Sequence, residues 1–204
     1  ELTMANGVFT SDMRDTVTYF DMFFRRVPDK GGYAIMAGVE QLIQYMNDLH
    51  FDEEDIEYLK SLNLFCDEFI DYLRDFKFDC DVWAVPEGTV IFPHEPIVTV
   101  RGNAMQALMV ETMLLVTINH QSLIATKANR ICRAAEGKPV MEFGARRAHG
   151  SGAAYYGARA AMIGGCIGTS NVLAGEMFDV PVSGTHAHSW VMSFPDEYTA
   201  FKTY

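Results

Sequence analysis

The 204-residue chain is 49% hydrophobic and 21% charged, the proportions of an ordinary globular protein long enough to bury a full core. Its net charge of −11 at pH 7 argues against general nucleic-acid binding, and no apolar run is long enough to span a bilayer, which argues against a membrane partner. Four widely spaced cysteines without a CxxC pair exclude zinc ribbons and a disulfide framework, and read as reduced core thiols of a cytoplasmic protein.

The charge is unevenly placed. Residues 47–81 carry twelve Asp/Glu against three Lys/Arg, whereas residues 127–159 carry seven Lys/Arg against two Asp/Glu. A short basic stretch inside an acidic chain suits small anionic ligands, although a solvated helix face gives similar counts.

In chain order, "TVTYFDMFFR" (16–25) is rich in β-branched and aromatic residues and reads as a strand, broken by "PDKGG". Val39, Leu42, Ile43 and Met46 then recur at helical spacing over 37–49. Asp52 is placed to N-cap a helix through "EEDIEYLKSL", and a further amphipathic helix is predicted near 65–76. "CDVWAV", "TVIF" and "IVTVRG" (80–102) predict three short strands of an antiparallel meander, separated by turns at "PEG" and "PHEP". From Asn103 the pattern is helical as far as Gly137 and Pro139, long enough that a break is predicted near Asn119–His120.

Beyond it, "PVMEFG", a Gly/Ala-rich helix over 151–163, "CIGTS", a helix from Asn171 and "VPVSGT" alternate strand with helix. That rhythm implies parallel strands with crossover helices. The organisation expected is an α+β unit over 1–115 followed, over 116–204, by the start of an α/β unit. The chain begins with Glu1 and ends on "YTAFKTY", which reads as the middle of a helix without a cap, so it is expected to be a piece of a longer protein.

Three motifs carry chemistry. "EFGARRAHG" (142–150) follows a predicted strand, at the end where α/β folds bind ligands. Of its adjacent arginines, Arg146 and Arg147, one is expected to face a pocket, where a guanidinium grips a carboxylate or phosphate bidentately. Phe143 could stack on an aromatic ring or pack in the core. In "GTSNVLAG" (168–175), Ser170 or Asn171 caps the next helix, leaving amides for an anion or simply ending the turn. In "VPVSGTHAHSW" (180–190), an extended HxH pair would put both imidazoles on one face, as in metal-dependent barrel hydrolases. If Gly184-Thr185 turn the chain out of the strand, that alternation fails and only one histidine faces a site.

"YFDMFFRRVPDKGGYAIMAGVEQLIQYM", "EFGARRAHG", "GTSNVLAG" and "PVSGTHAHSW" together closely resemble nicotinate phosphoribosyltransferase, over essentially the whole chain and in the same order. The resemblance implies a type II phosphoribosyltransferase-like fold: an N-terminal α+β domain, then an irregular α/β barrel that is incomplete here. It implies ATP-coupled joining of nicotinate to 5-phosphoribosyl 1-diphosphate, giving nicotinate mononucleotide and diphosphate, an entry step to NAD.

By the same resemblance His188 is the histidine phosphorylated by ATP and His186 fills a variable position. Thr185 contacts nicotinate, Arg146 and Phe143 form the base pocket, and Asn171 stands where the related nicotinamide enzyme has an aspartate. Mg²⁺ is expected on the substrate phosphates rather than on a protein metal site. Imidazole is a competent phosphoryl acceptor near neutral pH. A homodimer is also implied. The alternatives are nicotinamide or quinolinate phosphoribosyltransferases, an HxH metal-dependent hydrolase, or a family member that binds without turnover.

Overall fold

The computed structural model describes residues 1–204. Helix α1 (Leu2–Phe9) precedes strand β1 (Val17–Met22), the two-residue strand β2 (Ala34–Ile35) and helix α2 (Val39–Asp48). Helices α3 (Glu53–Ser61) and α4 (Asp67–Arg74) lead to strands β3 (Asp81–Ala84), β4 (Val90–Ile91) and β5 (Val98–Asn103). Helix α5 (Ala104–Met109) and the 24-residue α6 (Glu111–Ala134) then carry the chain to β6 (Met141–Glu142). A 3-10 turn (Ala145–Arg147), helix α7 (Ser151–Ile163), strand β7 (Gly168–Thr169) and helices α8 (Val172–Phe178), α9 (His188–Met192) and α10 (Glu197–Thr203) complete it.

Asp52 caps α3 as expected, in a reciprocal box in which Asp52 accepts from the Asp55 amide and Asp55 from the Asp52 amide. Asp196 caps α10 in the same sense by accepting from the Thr199 amide at 2.8 Å, so the final helix does have an N-terminal cap. Helix α1 has no counterpart in the sequence reading. Phe9 and Ala5 fix it against Phe69, Ile70 and Met105 in a cluster also built by α3 and α4.

The expected meander is corrected in one member. Strands β1 and β3 both pair antiparallel with the central β5, but β4 leaves them and pairs antiparallel with β2. The cause is a backbone clasp: Met36 N donates to Thr89 O and Gly88 N to Met36 O, drawing the turn after β3 towards the entry of α2. On β5, Val98 and Val100 point into the main core. Thr99 and Arg101 face outwards, where Arg101 bonds Asp81 (2.7 Å) and Tyr19 (2.9 Å) on the two flanking strands.

The helix break is also corrected. It falls at Val110, and α6 runs unbroken through Asn119–His120. Val110 is where burial changes sides: Met105 and Met109 enter the α1–α3–α4 cluster, whereas Leu114 and Ile118 enter the sheet-facing core. The polar residues around His120 do not unwind the helix because β2 and its flank satisfy them. Ser122 Oγ accepts from the Ala37 amide (3.0 Å), and Thr126 Oγ1 from the Ile35 amide (2.8 Å). Helix α6 thereby crosses the division expected between residues 115 and 116.

Helix α7 buries Ala158, Ala160 and Ala161, and just past its end Gly164 permits close approach to α6. A Cβ on Gly164 would stand 2.4 Å from Ala125 O and 2.7 Å from Ala128 Cβ. The same crossing is locked by charge. Arg159 of α7 holds Glu87 through both guanidinium nitrogens (2.7 and 3.0 Å) and Glu40 at 2.6 Å, and Glu87 accepts from the Gly38 and Val39 amides that open α2. Gly38 has φ +101°, and a Cβ there would stand 2.8 Å from Thr117 O. Lys127 bonds Asp29, with Arg130 at 4.0 Å from the same carboxylate. Three of the seven basic residues over 127–159 are therefore ties to the N-terminal unit, not ligand groups.

Burial pushes the Glu87 carboxyl up, but Arg159 and the two amides outweigh it and hold it below its ordinary 4.5. A depressed carboxyl stabilises the fold fully above its unfolded value, and that stability is lost as pH falls through the folded one. Wild type is therefore expected to lose melting temperature below about pH 4.5 more steeply than Glu87→Gln, whose side chain cannot titrate. Parallel thermal scans from pH 7 to 3 check this; coincident slopes would contradict it.

The four cysteines are free and half-buried rather than core residues. Cys132 and Cys166 lie 4.0 Å apart across the α6–α7 crossing, and burial, with the neighbouring thiol, pushes Cys166 up to about 12. No helix is long and apolar enough to cross a membrane.

Candidate functional site

Strands β6 and β7 are parallel, with Met141 opposite Gly168 and Glu142 opposite Thr169, and a further parallel bridge joins Thr169 to Val182. Three chain segments thus run side by side in one direction, and the three motifs leave from the same edge. Phe143 and Arg146 follow β6, Asn171 follows β7, and Thr185 and His188 follow the bridge at Val182. Each departure sits at a strand carboxyl end, where side chains leave the ladder and are free to meet a ligand.

Phe143 is 42% exposed, and Arg146 is exposed within the 3-10 turn. The neighbouring arginines do diverge: Arg147, not Arg146, borders a cavity of about 350 Å³ between α6 and α7, together with Glu142, His120 and His149. Asn171 is occupied as a cap, its Oδ1 accepting from the Ala174 amide at 3.2 Å. Thr185 is exposed in the irregular stretch before α9.

The HxH stretch is not extended. Strand character ends at Val182, residues 183–187 are irregular, and His188 opens α9. The alternation that would aim both imidazoles one way is absent. His186 instead packs against α10, its ring 5.2 Å from Phe201 and 5.0 Å from Tyr204 in an edge-on arrangement. Trp190 ties α9 to α10 by donating from Nε1 to Ala200 O at 3.1 Å. His188 is exposed. One imidazole is packed and the other is free to react.

One part of this edge escaped the sequence reading. Glu142 accepts from the Gly144 amide with one carboxylate oxygen and from Thr169 Oγ1 with the other, at 2.7 Å. Thr169 is fully buried, and its hydroxyl oxygen accepts from the Asn171 amide at 3.1 Å. The only sequence signal was an acidic residue directly before Phe-Gly and a threonine directly after glycine. Nothing local says that the two meet.

Comparison with known proteins agrees with this architecture. The model of the nicotinate phosphoribosyltransferase (NAPRTase) N-terminal domain matches residues 1–119, and that of the nicotinate phosphoribosyltransferase (NAPRTase) family matches residues 139–201. The nicotinate phosphoribosyltransferase pncB2 of Mycobacterium tuberculosis (strain ATCC 25618 / H37Rv) is 44% identical over 204 residues, covering 100% of this chain and 44% of that protein. The crystal structure of human nicotinic acid phosphoribosyltransferase superimposes with a TM-score of 0.88 at 34% identity, over 95% of this chain and 40% of that one. A nicotinate-nucleotide pyrophosphorylase from Pyrococcus furiosus gives a TM-score of 0.78 at 27% identity, over 98% of this chain and 44% of that one. The chain spans less than half the length of these relatives.

An α+β unit, followed by parallel strands and crossover helices that begin a barrel, defines the class: a type II phosphoribosyltransferase-like fold, with the barrel incomplete in residues 1–204. Within that class the chain belongs to the nicotinate phosphoribosyltransferase family.

Proposed function

We propose that the protein carrying this chain joins nicotinate to 5-phosphoribosyl 1-diphosphate, forming nicotinate mononucleotide and diphosphate with ATP hydrolysis as the coupled step. The observation that carries the reading is the placement of Phe143, Arg146, Asn171, Thr185 and His188 after three parallel strand ends on one edge of a chain of this family. The pyridine nitrogen attacks the anomeric carbon, the new C–N bond replaces the C–O bond to diphosphate, and diphosphate leaves with both electrons.

In this reading Phe143 stacks on the pyridine, Arg146 pairs with the carboxylate and Thr185 contacts the base. Asn171 supplies a neutral side chain where an acid would repel a carboxylate. His188 accepts the terminal phosphoryl group of ATP at an exposed imidazole as ADP leaves, and water later takes that group from the imidazole as inorganic phosphate. Residues 1–204 bring no three His, Cys, Asp or Glu side chains together that could hold a metal. The Mg²⁺ in this reading rides on the substrates' phosphate oxygens, where it neutralises charge on the departing diphosphate. A homodimer in the cytoplasm completes the proposal, on the strength of family membership.

Arg146→Ala in the intact protein tests the substrate. A guanidinium facing a carboxylate is compensated, and facing an amide it is not. The nicotinate KM is expected to rise about tenfold to a hundredfold and the preference over nicotinamide to narrow. An unchanged nicotinate KM removes Arg146 from the pocket.

A further inference from the structure

We infer that Glu142 and Thr169 are positioning residues that set the spacing of the base-binding loops, an inference that rests on the functional reading above. Main-chain pairing is thin where those loops leave the sheet. Strands β6 and β7 share only two register pairs, and the third segment is held by the bridge at Val182. Besides the main-chain bond from the Ser170 amide to Glu142 O (3.2 Å), the β6 and β7 loops are linked by one carboxylate and one hydroxyl.

The hydrogen bonds have a defined direction. Glu142 has no proton to give when ionised, so it accepts twice, from the Gly144 amide and from Thr169 Oγ1. That commits the single proton of the Thr169 hydroxyl to Glu142 and turns an oxygen lone pair towards the Asn171 amide. The Thr169 backbone holds the third segment: its amide donates to Pro181 O at 3.0 Å and its carbonyl accepts from the Ser183 amide at 2.9 Å. All three strand ends therefore meet at one fully buried residue.

The glycine between Phe143 and Ala145 belongs to the same device. A Cβ on Gly144 would stand 2.8 Å from Glu142 Oε1, so a side chain at 144 would displace the carboxylate from the position in which it accepts from the Gly144 amide. Phe143 is held between the two residues so linked, and the 3-10 turn bearing Arg146 starts from Gly144. Asn171 is two residues from Thr169 and caps α8. Neither Glu142 nor Thr169 need touch the base: each acts through the loop it holds.

The test uses steady-state kinetics of the intact protein with nicotinate and 5-phosphoribosyl 1-diphosphate varied separately, and melting temperatures alongside. Thr169→Val keeps shape and removes the hydroxyl, Thr169→Ser restores it, and Glu142→Gln keeps volume while removing the doubly accepting carboxylate. Thr169→Val and Glu142→Gln are each expected to raise the nicotinate KM about tenfold or more, with kcat changed less than about threefold, the signature of lost ground-state positioning. The KM for 5-phosphoribosyl 1-diphosphate stays near wild type, and Thr169→Ser stays within about twofold for both.

A nicotinate KM unchanged in either variant overturns the inference whatever happens to the melting temperature, as does an equal rise in both KM values. If Thr169→Val fails to fold, Glu142→Gln carries the same test. Wild-type protein that makes no nicotinate mononucleotide is a separate result: it overturns the functional reading, and this inference with it.

Discussion

His188→Asn in the intact protein is expected to abolish ATP-dependent phosphorylation and to uncouple ATP hydrolysis from product formation. His186→Ala is expected to keep most of the coupled activity. The asymmetry follows from geometry: the His188 ring is exposed at the start of α9, whereas the His186 ring is packed on Phe201 and Tyr204. Slow ATP-independent synthesis should survive His188→Asn, because in the proposed reaction phosphoryl transfer supplies energetic coupling and not the glycosidic chemistry itself. Phosphohistidine is lost in acid and kept in alkali, so mass spectrometry at high pH locates it. If both substitutions instead remove a stoichiometric bound zinc and equal fractions of activity, the pair is a metal site and the phosphoryl-acceptor role is wrong.

The second large effect is on stability. Arg159→Met is expected to cost about 3 kcal/mol, because it leaves the half-buried Glu87 facing Glu40 without a cation. For a domain of this size that lowers the melting temperature by roughly 6–12 °C. The side chain of Arg159 is only 11% exposed, so little water can replace what is lost. Adding Glu87→Gln should return part of the loss, since removing both charges costs less than stranding one. Chemical denaturation of the two single variants and the double variant measures it. An Arg159→Met protein as stable as wild type would show that the α7 tie to the α2 entry contributes nothing.

The legible parts of the fold were those set by neighbours in the chain. The span of α7 and the Asp52 cap depend on residues within a few positions and are where the local pattern puts them, and of the two candidates for the cap of α8, Ser170 and Asn171, the structure uses Asn171. The motifs that follow the strand ends were equally legible, because turn residues after a short β-prone run mark a departure from a sheet. Two errors have a common source. The continuity of α6 through Asn119–His120 and the loss of β4 from the meander both depend on partners far away in sequence, Ser122 and Thr126 with β2 and its flank, and Met36 with Gly88 and Thr89.

The sequence by itself determined the α+β then α/β order and the points where the motif residues leave their strands; its residue pattern left open which of the two histidines faces a site, and the resemblance to the family is what singles out His188. Only the tertiary structure decided that Arg147 and not Arg146 borders the α6–α7 cavity, and that much of the basic stretch is spent on Asp29, Glu40 and Glu87. It alone brought Glu142 to Thr169, 27 residues apart. Periodicity and capping are short-range and read directly along the chain. The partner of a charge or of a buried hydroxyl is set by which elements pack together, and that is fixed by the burial of the whole core.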